Sequence, residues 1–269
     1  MTSGVRTNRR QLLTMLAAGT AAALAGCSTA HSTVQENLAV GAAPPAPPGP
    51  PPLPPPPAGP KLSVPAGAMT ALPGPGNNLA LTVDDGASPE VVGAYIRFAR
   101  DTGARFTFFV TGCYESWTMH RNELRPLVDS GQIQLGNHTW DHRALTELSS
   151  TGVADQLSRT KVFLYNTFGV DGAPYFRPPY GYHNAAVDRV AADLGYTVPT
   201  LWYGSLSDSS IITEQYLMQM AEQWFNPQAI VIGHANHPAV THCYDRLVDI
   251  IRERQLAMVT LNDVLAPPV

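Results

Sequence analysis

Asn78-Leu79-Ala80-Leu81-Thr82-Val83-Asp84-Asp85-Gly86 is a short, almost unbroken apolar run that ends in two adjacent carboxylates. An apolar run of this length, closed by a turn signal, is how a strand buried on both faces reads. The same texture recurs downstream. Apolar runs at 105–110, 132–135, 174–176, 196–202, 229–232 and 257–261 alternate with amphipathic patterns of helical period at 89–100, 153–167, 184–194, 214–224 and 240–254. Repeated strand-then-helix units, about seven of them, predict an α/β fold with a parallel sheet, either a barrel or a doubly wound layer. No internal repeat is visible.

Unusual polar residues sit just past these runs. Asp84 and Asp85 close the first, and His138 and His142 follow the run at 132–135. Arg177 ends the run at 174–176, Asp208 lies beyond the one ending at Trp202, and His234 closes the one at 229–232. In a parallel barrel, C-terminal strand ends converge on one rim, where active sites lie. Loops scattered over a surface would not give this register.

Upstream of residue 77 the composition is different. Asn8-Arg9-Arg10-Gln11-Leu12-Leu13 puts a twin arginine before an apolar run too short to span a bilayer comfortably. Leu24-Ala25-Gly26-Cys27 resembles a lipobox, so residues 1–27 read as a lipoprotein export signal with Cys27 lipidated. A protein exported by that route crosses folded, and its expected location is the outer face of a bacterial cell membrane. Nearly half of the 25 prolines crowd into residues 43–60. Such a stretch favours polyproline II and can reach on the order of 50 Å. Residues 28–76 are therefore expected to be a disordered tether, and 77–269 the catalytic domain. The remaining cysteines, Cys113 and Cys243, permit one disulfide or two free thiols. A net charge of -4 gives no electrostatic reason to expect nucleic acid or anionic lipid as a partner.

Asn137-His138-Thr139-Trp140-Asp141-His142 places two imidazoles four residues apart. On a helical turn capped near Asn137, both rings would lie on one face and could share a metal, though most such pairs are ordinary surface histidines. Asp84 or Asp85 fits as a third ligand, leaving an open position for water. Two neighbouring carboxylates can divide the work, one on the metal and one taking a proton. Arg177, followed by two prolines, is the available cation to orient the base. Its bland alternative is a surface salt bridge. His234 is a candidate general acid or else a core histidine, and His237 and His242 compete for the role from positions displaced from the strand end.

In this order the motifs resemble those of the polysaccharide deacetylases, the family 4 carbohydrate esterases. The fragments are Leu81-Thr82-Val83-Asp84-Asp85-Gly86, His138-Thr139-Trp140-Asp141-His142, Arg177-Pro178-Pro179-Tyr180-Gly181 and Ile232-Gly233-His234. The resemblance covers approximately residues 79–265. It implies a distorted (β/α)7 barrel and one divalent ion, most often Zn2+, on Asp85, His138 and His142. It further implies Asp84 as general base, Arg177 as the residue that holds it, His234 as general acid, and the Tyr180 backbone N–H as an oxyanion donor. Two departures stand out. Val83 replaces a usual Phe, and Ser205-Leu206-Ser207-Asp208-Ser209 stands where the family has Asp-x-x-Asp-Trp. Asp208 survives to tune His234, while Trp202 or Tyr203 is left to supply the missing apolar wall.

The resulting expectation is a monomeric hydrolase that N-deacetylates an N-acetylhexosamine cell-wall polymer, with peptidoglycan, which would surround such a tether, as substrate. O-deacetylation of a glycan, hydrolysis of a small amide, or a catalytically silent wall-binding role are the alternatives.

Overall fold

The computed structural model describes residues 51–266. The chain order is β1 (Leu62–Ser63), β2 (Asn78–Asp85), α1 (Pro89–Thr102), β3 (Phe106–Val110), α2 (Ser116–Met119), α3 (Arg121–Asp129), β4 (Ile133–Asn137), α4 (Ser150–Phe168) and β5 (Tyr175–Phe176). It continues with α5 (Ala185–Asp193), β6 (Val198–Pro199), β7 (Gly204–Ser205), α6 (Glu214–Trp224), β8 (Ala229–His234), α7 (Tyr244–Glu253), β9 (Ala257–Met258), α8 (Leu261–Val264) and β10 (Leu265–Ala266).

Seven strands form one curled, wholly parallel sheet in the order β6-β5-β4-β3-β2-β8-β7, and β9 pairs with β2 beside that path. This is the expected distorted (β/α)7 barrel. The count of seven agrees, but its membership differs from the sequence expectation. The run at 196–202 yields only the short β6, which ends at Pro199, a residue with no N–H to continue a ladder, and β7 lies beyond the run. Gly204 in β7 lies so close to the Trp224 side chain that a Cβ would stand 2.5 Å from its Cβ and 2.6 Å from its ring.

The central strands are apolar because helices cover them. Seven of the eight β2 residues are buried, as are all five of β3. Helix α1 begins on a Ser88 N-cap that accepts from the Val91 N–H, carries Pro89 in its first turn, and stops at left-handed Gly103. Its buried face, including Val91, Tyr95, Ile96 and Phe98, joins Phe106, Phe108 and Trp117 in the main core.

The tether does not extend to residue 76. Residues 51–76 are a strap docked on the barrel, so the folded domain begins well before residue 77. Leu53, Met69 and Leu72 are buried. The Leu53 N–H donates to Thr102 O at 2.7 Å, and β1 pairs in parallel with β10. The Met69 N–H donates to Pro199 O and its carbonyl accepts from the Leu201 N–H, both at 2.8 Å. Leu72 N–H donates to Gln228 O at 2.9 Å. An extended proline-rich chain makes no internal hydrogen bonds, so its backbone groups are free to pair with a neighbour. Three apolar side chains spaced among the prolines supply the anchor, at roughly 2 kcal/mol each. The export signal at 1–27, Cys27 and the tether from 28 to 50 lie outside the described residues. Cys113 and Cys243 are both free thiols.

Candidate active site

The rim expected from sequence is present. Asp84 and Asp85 end β2, His138 follows β4, Arg177 follows β5, Ser205 ends β7 with Asp208 beyond it, and His234 ends β8. Asp84, Asp85, His138, Ser205 and His234 border a cleft of about 570 Å³, also lined by Tyr114, His142, Tyr180, Trp202, Ser209 and Asn236, while Arg177 and Asp208 are fully buried and outside its lining.

The pair of imidazoles is not presented by a helix, contrary to the capped turn expected. Residues 138–142 are an irregular loop with Thr139 at φ 70° and His142 at φ 61°. Asn137 shapes it as an Asx turn. Its Oδ1 accepts from the Thr139 N–H at 2.9 Å and its Nδ2 donates to Leu157 O at 2.9 Å. The spacing of four still succeeds, because the left-handed residues fold the loop back and bring the ring centroids to 5.0 Å.

Asp85 completes the cluster. Its Oδ1 lies 3.4 Å from His138 Nε2 and 3.3 Å from His142 Nε2, and is buried without a hydrogen-bond partner among the described residues. Asp85, His138 and His142 offer ligand atoms all within 4.8 Å of one another. A buried, unpartnered carboxylate oxygen aimed at two ring nitrogens is the donor set a divalent cation requires, so the residues fit such an ion. His138 Nδ1 lies 2.6 Å from Arg177 O, which fixes the proton on Nδ1 and leaves Nε2 as a lone-pair donor. Asp85 itself sits at φ 73°, a costly conformation for a residue with a Cβ, concentrated here at the site. Gly86 follows because a Cβ there would stand 2.2 Å from Trp117.

Burial alone would raise the Asp85 pKa. The His138 hydrogen bond and the charges of His138, His142 and His234 outweigh it and hold the carboxyl well below the ordinary range. His138 is pushed up, because Asp84 and Asp85 overcome its burial. Burial and the charge of His138 push His142 down.

Asp84 is held from one side and free on the other. Arg177 Nη1 donates to its Oδ1 at 2.6 Å, while Oδ2 faces His138 Nε2 at 3.5 Å. Arg177 is fully buried, so it is not a surface salt bridge. Nε donates to Thr200 O, Nη2 to Leu201 O and Nη1 also to Thr82 Oγ1, at 2.8 to 2.9 Å, and the guanidinium lies 4.3 Å from the Phe109 ring centre. A buried cation with this many acceptors is rigid, and it fixes one lone pair of Asp84. The carbonyls that clamp it belong to the segment paired with the strap at Met69.

His234 Nδ1 meets Asp208 Oδ1 at 3.0 Å, leaving Nε2 for the cleft. Burial lowers the His234 pKa, but the Asp208 hydrogen bond and the charges of Asp84, Asp208 and Asp85 outweigh it, and the net shift is upward. Trp202 lines the cleft, 5.6 Å from the Arg177 guanidinium. Tyr203 does not line it, and its ring instead meets Trp224. Tyr180 sits at φ 61° with its exposed ring edge-on to His142, 4.7 Å between centres. His237 and His242 are not in the cleft lining, and exposed His242 bonds Glu214 at 2.8 Å.

Sequence reasoning missed Asn236. Its Nδ2 donates to Asp85 Oδ2 at 2.6 Å and its Oδ1 accepts from the Ala87 N–H at 3.2 Å, so it orients the carboxylate. A polar residue two places past a strand end was the available signal.

Residues 72–199 match the polysaccharide deacetylase family. An uncharacterised protein of Streptomyces coelicolor is 30% identical over 189 residues, 69% of this chain and 72% of that one. Chitin deacetylase 1 of Cryptococcus neoformans is 32% identical over 136 residues, 51% of this chain and 28% of that one. The peptidoglycan N-acetylglucosamine deacetylase PgdA of Listeria monocytogenes is 27% identical over 195 residues, 69% of this chain and 38% of that one. The chain thus spans well under half the length of these two enzymes. Among solved structures, a deacetylase with substrate has TM-score 0.62 at 27% identity, covering 70% of this chain and 90% of that one. A Bacillus anthracis pseudoenzyme of carbohydrate esterase family 4 has TM-score 0.66 at 19% identity, covering 75% and 69%, a likeness of fold alone.

Proposed function

The chain belongs to the polysaccharide deacetylase family, and we propose that it is a metal-dependent hydrolase removing N-acetyl groups from an N-acetylhexosamine-containing cell-wall polymer, with peptidoglycan as substrate. The observation that carries this reading is the Asp85 oxygen, buried and unpartnered between His138 and His142, beside an Asp84 that Arg177 holds by one oxygen only. The bound ion, proposed as Zn2+, would polarise the amide carbonyl and acidify a water. Asp84 Oδ2 takes the proton as water attacks, and Arg177 keeps Oδ1 from competing. The Tyr180 backbone N–H is assigned to the oxyanion. His234 gives its proton to the sugar nitrogen, and Asp208 behind it stabilises the charged ring until then. Trp202 packs beside the acetyl group and excludes water.

Kinship to both a chitin and a peptidoglycan deacetylase supports N-acetylglucosamine as the sugar, and an export signal with a lipid at Cys27 would keep the enzyme beside the wall, acting as a monomer. Ser205 and Ser209 in the cleft, where an acid and a large aromatic are absent, favour O-acetyl glycans as the second reading. The fold also serves a pseudoenzyme, but the residues proposed here as ligands, base and acid are all present, which weighs against a silent binder.

The test is acetate release by a chain beginning at residue 51, loaded with zinc or cobalt, on N-acetylglucosamine oligomers and isolated peptidoglycan. Release that stops on chelation and is lost in Asp84→Asn is the expected result. A protein holding one metal that releases nothing from either polymer would sink the N-deacetylase reading. Cys27→Ala should move the full-length protein from the membrane fraction to the soluble one, and retention there would sink the anchor.

A further inference from the structure

Asp208 is completely buried, yet only one of its carboxylate oxygens is used. Oδ1 meets His234 Nδ1, and Oδ2 has no partner among the described residues. Two phenol oxygens share that condition nearby, Tyr95 Oη from α1 and Tyr244 Oη from the first turn of α7. The two rings are in contact, with centroids 5.4 Å apart. Gly233, the residue before His234, locates the convergence. A Cβ built there would lie 3.2 Å from Tyr95 Oη and 3.5 Å from Asp208 Oδ2. Both oxygens therefore face one spot at the back of the general acid, without a direct hydrogen bond between them. Burial pushes both phenols well above their ordinary range, and Asp208 adds to this for both, so each keeps a proton to donate.

A buried carboxylate oxygen left bare is costly, and so is each bare hydroxyl. Asp208 Oδ2 and Tyr95 Oη converge beside Gly233, and the Tyr244 ring touches that of Tyr95, which meets the condition for a structural water, one with two to four polar partners. From Asp208, Tyr95 and Tyr244 we infer that one internal water is held behind His234, accepting from the Tyr95 and Tyr244 hydroxyls and donating to Asp208 Oδ2, and that Tyr95 is thereby a positioning residue for the general acid.

The inference rests on the proposed reaction for its kinetic consequence, but the water site itself does not. Its physical content is that Asp208 cannot turn away from His234 while Oδ2 is tied. Loosening it misaligns the acid that must reach the leaving nitrogen, while the metal, the base and the oxyanion donor are untouched. An amide should suffer and an activated ester should not, since an aryloxide leaves without a proton.

The experiment compares the full chain with Tyr95→Phe, Tyr244→Phe and the double variant. The expected result is that Tyr95→Phe lowers kcat on N-acetylglucosamine oligomers about tenfold at nearly unchanged KM, with little loss on an aryl acetate. Equal losses on both substrates, or an unchanged amide kcat, overturn the positioning role. Thermal unfolding reads the site without substrate. A water-bound hydroxyl makes Tyr95→Phe lower Tm by about 3 °C, and the two single effects fail to add in the double variant because they share one water. An orphan hydroxyl gives an unchanged or higher Tm, which overturns the water site. Should the wild type release no acetate from any polymer, the proposed function fails by itself, and the Tm cycle still decides the water.

Discussion

The two flanks of the cleft are built on opposite principles. On the flank of Asp84, Asp85 and His138, each side chain is fixed by a neighbour in direct contact. Arg177 clamps Asp84, its carbonyl orients His138, and Asn236 ties Asp85. On the His234 flank, a single pair holds the ring, Asp208 lying buried behind it with one oxygen unpaired among the described residues, and Ser205 and Ser209 line the same cleft. The family match at residues 72–199 contains every residue of the first flank except Asn236, and none of Asp208, Ser209 or His234. Charge placement explains the difference. A cation site fails if any ligand drifts by a fraction of an ångström, whereas a general acid needs one ring, one orienting carboxylate and room for a substrate.

Substitutions can break that division. Asp84→Asn should cost the most, about 10³-fold in turnover with metal affinity nearly unchanged by calorimetry. His138→Ala should instead lose metal and turnover together, and a variant that lost only one would mean that the flank is not a single unit. Asp208→Asn should lower kcat on the amide about 10- to 100-fold and leave metal affinity alone. The same variant tests the pH dependence. As the proposed general acid His234 works protonated, so turnover falls as pH rises through its pKa, which is raised from the ordinary imidazole value. Removing the hydrogen bond and charge of Asp208 takes away two of the causes that raise it, so the alkaline limb should move to lower pH. A limb that stays in place would assign the acid elsewhere.

Asn236→Ala should weaken metal affinity about tenfold and leave turnover at saturating metal close to normal, since Asp85 keeps both histidines. The smallest kinetic effect belongs to Met69→Ala in the strap. It should lower stability by about 2–4 kcal/mol in denaturant unfolding with little change in kcat on either flank. A large loss of kcat there would tie the strap to the Arg177 clamp through Leu201 and Thr200.

Most of the barrel was legible because its strands are buried on both faces and its helices on one, which writes two clear periods into the chain. The helix 214–224 was read to the residue, and α1 to within two. The helix Arg121–Asp129 escaped because Pro126 sits inside it, and β7 because two residues leave no period to read. The residues of the proposed site were legible as strand-end polar groups. The reading of His138 and His142 reached the right cluster by the wrong local structure, since a spacing of four suits both a helical turn and a loop folded by left-handed residues.

The sequence by itself determined which chemistry is available: two carboxylates, two imidazoles, a cation and a distant histidine, in an order that a parallel barrel brings to one rim. The tertiary structure alone decided which oxygen does what. Whether Asp84 or Asp85 faces the histidines, how Arg177 becomes fully buried, where Asn236 reaches, and how residues 51–76 dock instead of trailing free all depend on pairings between residues far apart in the chain. Such pairings leave no local period, because they are set by the angle at which a strand leaves the sheet and by which unpaired backbone group lies nearest. Composition marks the strap as a spacer, and only the hydrogen bonds it finds on the barrel make it part of the domain.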